Sequence, residues 1–157
     1  IASNRGAPFN LLKPSIDKFV WGLEQIDVPT GFEQYTTALE MTLLEKDAQC
    51  KKKKLANRVA ILLGSSTADV RQLHGEMLNY YRFRSESLHE GDGSNISFIE
   101  LQHLEDIARR VLCECLKRCK AGTGCVVMVT WATIKQSLID DLITRVTAAI
   151  AAGTFPG

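Results

Sequence analysis

The chain has 157 residues, 45% hydrophobic and 24% charged, with 19 lysines and arginines against 18 acids. That balance describes one globular domain, long enough to bury roughly 70% of its unfolded surface without disulfides or metal. A net charge of +1 excludes nucleic-acid binding driven by bulk charge and an acidic disordered tail, and no apolar run approaches the ~20 residues of a membrane span.

In chain order, residues 1–13 are expected to be irregular, and Pro14-Ser15-Ile16-Asp17 to open a short helix through Leu23 and Ile26 that Pro29 ends. Capping boxes, in which a hydroxyl and a carboxylate three residues on satisfy free amides, fit Thr30 to Glu33, Ser66 to Asp69 and Ser97 to Glu100. Tyr35, Ala38, Leu39, Thr42 and Glu45 recur at three- and four-residue steps and predict a helix between Thr30 and Asp47. Leu55, Val59, Leu62 and Leu63 predict the next, with Gly64 as a left-handed terminator. A helix from about Thr67 carries Val70, Leu73, Met77, Tyr80 or Tyr81, Arg84 and Leu88 on one stripe, so an arginine occupies an apolar register.

The polar run Glu90 to Asn95 then breaks the chain. From Ser97, the positions Leu101, Leu104, Ala108, Val111, Cys115 and Cys119 predict a long helix that Gly122 and Gly124 close. Cys125 to Thr130 forms an apolar linker, and a last helix from about Ala132 to Ala152 points Leu138, Ile139, Leu142, Ile143, Val146, Ala149 and Ile150 inward. The fold class is all-α, a bundle of about five to six mostly antiparallel helices. Residues 14–124 form the bundle, and 125–157 an apolar linker and C-terminal helix that pack on it or on a second copy.

Five cysteines, three of them within one amphipathic stretch (Cys113, Cys115, Cys119), are poor disulfide material and fit a reducing cytoplasm. Without Cys-x-x-Cys pairs or His-Glu-x-x-His no metal is expected, and no cofactor; buried thiols acting as small hydrophobes are the better account. No basic stretch with an apolar core opens the chain, and a start on Ile1 suggests a longer parent with other domains.

Charge is uneven: residues 17–47 hold seven acids and two lysines, whereas Lys51, Lys52, Lys53, Lys54 and Arg58 form a run of bases without an acid. Cations at a helix start oppose its dipole, and a phosphate-binding use would account for them. Arg84 and His89 stand five positions apart before the polar break. An arginine fork can hold a phosphodiester and stay charged in the transition state, while a histidine can take a proton from a ribose 2′-hydroxyl or give one to a leaving oxygen. Five residues on an ideal helix leave the two about 140° apart, so convergence needs either a loosened helix near Leu88 or a second subunit across a twofold axis. The plainer account pairs Arg84 with a carboxylate in the bundle and leaves His89 as a helix-end residue.

Ala38-Leu39-Glu40, the run Leu55 to Leu63, Tyr81-Arg82-Phe83-Arg84-Ser85, His89 and Arg109-Arg110-Val111-Leu112 follow one another in order. In that pattern the stretch from about Phe32 to Lys120 resembles a HEPN domain of the ApeA-like branch found in bacterial defence and abortive-infection proteins. The resemblance implies a homodimeric helical bundle and, in active members, a metal-independent endoribonuclease with its arginine-to-histidine motif in a cleft at the dimer interface. By that resemblance Arg84 grips the scissile phosphate of RNA and His89 acts as general base or acid. Ser85, Glu86 and Tyr81 support them. Ser85 stands where many family nucleases have Asn, Asp or His, and Glu90 where a glycine is expected. The alternative is a non-catalytic module that dimerises or binds a nucleotide or a partner.

Overall fold

The computed structural model describes residues 7–90, 96–121 and 131–155, with side chains over 12–88, 96–119 and 133–155. Six helices occupy these residues: α1 (Ala7–Leu23), α2 (Val28–Leu43), α3 (Lys51–Leu63), α4 (Thr67–Glu90), α5 (Phe98–Ala121) and α6 (Trp131–Ala151). The all-α bundle expected from periodicity is what forms. Of the expected break at 90–95, Glu90 is instead the last residue of α4, and 91–95 lie outside the described residues, as do the expected linker at 125–130, Gly122 and Gly124.

All six helices contribute to one apolar core, which joins Leu12 of α1, Phe32, Leu39 and Leu43 of α2, Leu55 and Val59 of α3, Met77 of α4, Leu104 and Val111 of α5, and Leu138 and Leu142 of α6. α2 packs on α1 and α5, while α3 packs on α4 and α6. The C-terminal helix thus completes the bundle within one chain. Its inward stripe is as expected except at Ile143, which is exposed. Among the described residues no helix is long and apolar enough to cross a membrane.

Several helix ends differ from their sequence signals. α1 begins at Ala7 and contains Pro14, so residues 7–13 are helical rather than irregular. A proline removes one hydrogen bond there, and the fully buried Leu12 anchors the preceding turn to the core. α2 starts at Val28 with Asp27 as its cap: the Asp27 carboxylate accepts from the Thr30 amide at 2.9 Å, and Pro29 sits in the first turn. Pro29 opens this helix instead of ending the previous one, because its fixed φ suits a first turn where the missing N–H has no partner anyway. Of the other two boxes, Ser97–Glu100 forms whole, and Ser66–Asp69 forms in half, because the Asp69 carboxylate accepts from the Ser65 hydroxyl. Ser66 Oγ accepts from the Asp69 amide at 3.2 Å. Ser97 and Glu100 exchange both bonds of the box, at 2.7 and 3.3 Å.

Gly64 closes α3 with φ −69 and ψ 130, an extended rather than left-handed conformation. Glycine is needed for space: a Cβ there would lie 2.5 Å from Val70 Cγ2 and 2.7 Å from the Ala60 carbonyl oxygen. A Cβ at Gly75, in the interior of α4, would meet nothing within 4 Å among the described residues. We therefore expect opposite outcomes from two alanines in urea unfolding. Gly64→Ala loses about 1–3 kcal/mol by forcing α3 and α4 apart, whereas Gly75→Ala gains about 0.5–1 kcal/mol from the helix interior. Equal effects at the two positions would contradict the packing of the α3–α4 corner.

Candidate functional site

On α4 the stripe Val70, Leu73, Met77 and Tyr80 is buried, and Arg84 continues it one turn further. A guanidinium facing a bundle interior needs a carboxylate, and α2 supplies Glu40. Arg84 Nη1 donates to Glu40 Oε1 at 3.1 Å, with the two side chains 18% and 15% exposed. The Tyr81 ring centroid lies 5.5 Å from the guanidinium carbon. Its phenol is held above the usual range by burial and by the charge and hydrogen bond of Glu40. Arg84 Nε is buried without a hydrogen-bond partner among the described residues.

α4 stays helical through Glu90, so it does not loosen at Leu88. Positions 84 and 89 are therefore about 140° apart around one axis. The His89 side chain lies outside the described residues. Of the supporting residues, Ser85 is exposed, and Glu86 is half-buried and 3.7 Å from Arg82. Glu40 is the residue sequence reasoning left out of the site. The signal was the arginine itself, but the expected α2 segment holds Glu33, Glu40 and Glu45, and periodicity does not choose among them.

The basic run divides. Lys51, Lys52 and Lys53 are exposed and Lys54 is half-buried at the start of α3. Arg58, grouped with them from the sequence, is instead 3% exposed. It donates to the Leu43 carbonyl at 2.6 Å and to both carboxylate oxygens of Glu45 at 3.0 and 2.8 Å. Position 58 is one turn past Lys54 on the face that packs into the core, so this arginine ties α3 to the end of α2 and is withdrawn from any surface track. Arg109 and Arg110 share Asp106, Lys117 pairs with Glu114, and Arg118 pairs with Asp141.

A cavity of about 670 Å³ opens between the first turn of α3 and the middle of α4, lined by Cys50, Lys51, Lys52, Lys53, His74, Leu78 and Tyr81. Through Tyr81 it borders the Arg84–Glu40 pair. No family model, curated protein or solved structure matches this chain.

His74 and His103 are built into the bundle. His103 Nδ1 lies 2.7 Å from the Tyr80 hydroxyl, and burial pushes that phenol up to about 12. His74 stacks on Phe155 at 4.8 Å. Among the cysteines, Cys115 and Cys119 are buried while Cys50 and Cys113 are exposed. Burial pushes the Cys115 thiol up to about 12, which keeps it a protonated, small apolar group. No group of metal-binding side chains forms among the described residues.

Proposed function

We propose that this chain is a metal-independent endoribonuclease domain of HEPN type, with Arg84 and His89 as its working pair and RNA as substrate, serving phage defence or a stress response. What supports this reading is the placement of Arg84, a cation set in an apolar register beside the Tyr81 ring, on the helix whose last turn bears His89. In the reaction the ribose 2′-hydroxyl attacks phosphorus and the 5′-oxygen leaves, giving a 2′,3′-cyclic phosphate and a 5′-hydroxyl. His89 accepts the first proton or supplies the second, and Arg84 steadies the charge that builds on the phosphoryl oxygens. The separation of 84 and 89 around one axis favours an assembly in which the sites of two copies adjoin across a twofold axis. Lys51 to Lys54 would hold the flanking phosphates.

A second reading is favoured by one observation, that Glu40 already balances the Arg84 charge inside the fold: a non-catalytic module that dimerises or binds a nucleotide or a partner. Cleavage of labelled single-stranded RNA, with magnesium and with a chelator, separates them. The nuclease reading expects activity that survives chelation and falls at least about 100-fold in His89→Ala. Equal inertness of wild type and variant on varied RNAs would leave the module.

A further inference from the structure

The cavity beside α3 has an apolar wall and a cationic mouth. Leu78, the Tyr81 ring, Cys50 and the aliphatic stems of Lys51, Lys52 and Lys53 supply the wall. Its volume of about 670 Å³ suits a small molecule, for which pockets of roughly 300–1,000 Å³ are usual.

Two independent features favour an anionic occupant. Among the described residues the first turn of α3 is uncompensated: the N-cap Cys50 lies in the left-handed region at φ 53, makes no side-chain cap bond, and is followed by no acid in that turn. Free amides and three ammonium groups thus concentrate positive potential where a helix already favours an anion. Lys51, Lys52 and Lys53 have no ion-pair partner among the described residues. His74 also lines the cavity and is only 6% exposed, yet its Nε2 has no hydrogen-bond partner among the described residues. Leaving a buried polar atom unpaired costs about 1–3 kcal/mol, which an incoming polar group recovers. Burial and the nearby charge of Lys53 hold His74 below its usual range, and the tautomer protonated at Nε2 offers a donor there.

We propose that this cavity binds a small organic anion with an apolar body. The head group accepts hydrogen bonds from Lys51, Lys52 and Lys53 and from the His74 Nε2 proton, and the body lies along Leu78 and Tyr81. No residue of the Arg84–His89 pair is needed, and the site stands whether or not the chain cuts RNA.

Calorimetric titration of the whole chain with octanoate, 1-octanol and acetate separates head from body. We expect octanoate to saturate one site at least roughly tenfold more tightly than either alternative. The exposed triple change Lys51→Gln, Lys52→Gln, Lys53→Gln should bring octanoate to the level of octanol. His74→Phe, which keeps a ring against Phe155, should also weaken octanoate several-fold, with circular dichroism showing both variants folded. Absence of saturation, octanol or acetate binding as tightly as octanoate, an unchanged triple variant, or adenosine monophosphate binding more tightly than octanoate would each overturn the proposal.

Discussion

Phe32→Ala is expected to lower the free energy of unfolding by about 3–5 kcal/mol, the range for deleting a buried aromatic ring. Phe32 is fully buried in the first half of α2 and meets the Tyr80 ring edge to face, with centroids 5.6 Å apart and planes at 84°. Such a pair adds about 0.5–1.5 kcal/mol beyond area burial. At the neighbouring Gly31 a Cβ would lie in van der Waals contact, 3.4 Å from the Gly22 carbonyl oxygen of α1 and from Leu101 Cδ1 of α5. The helices around the lost ring are therefore already in close contact and can collapse little into the void, which places the cost toward the upper end. Urea unfolding by circular dichroism measures it. A loss under about 1 kcal/mol would mean that α2 does not pack on α4 and α5 in this way.

Glu45→Ala comes next, with an expected loss of about 2–4 kcal/mol. Removing one partner of a buried ion pair strands the other charge, at about 3–5 kcal/mol when both are fully enclosed. Here the Arg58 side chain is 4% exposed but Glu45 is 39% exposed, which reduces the figure. Among the described residues, the Leu43 carbonyl would remain to accept from the guanidinium.

The pair also sets an acid limit. The hydrogen bonds of Arg58 hold the Glu45 carboxyl down from its ordinary 4.5 to about 2. A carboxyl lowered by folding contributes stability that is complete above its unfolded value and is lost as pH falls through its folded value. Wild type should thus lose this contribution progressively from about pH 4.5 to about pH 2, and Glu45→Ala should show a shallower decline over that window. Thermal midpoints across a pH series read the difference. Parallel curves for the two proteins would show that the pair does not form.

How much of this was legible in sequence depends on the distance over which each feature is decided. The stripe Leu101, Leu104, Ala108, Val111, Cys115 and Cys119 is buried as its spacing predicted, because a 3.6-residue period is a local property of one helix. The Ser97–Glu100 box is equally local, spanning three residues. The oddity of Arg84 was also visible, as a charge in an apolar register. Glu40 was not identified as its partner, because α2 offers several carboxylates and only the packing of α2 against α4 selects one. Arg58 was misplaced for a related reason: beside four lysines it looks like more surface charge, and burial became evident only once Leu43 and Glu45 were brought to it.

By itself, then, the sequence determined the helical class, the approximate helices and the residues that line the core, since period and capping act over a few neighbours in the chain. It also marked Arg84, His89 and the lysine run as the chemically unusual positions. Tertiary structure decided which carboxylate meets which arginine, which bases remain at the surface, and that His74 and the lysines of α3 share one cavity. Those outcomes depend on residues 13 to 44 positions apart, whose meeting is governed by how helices pack.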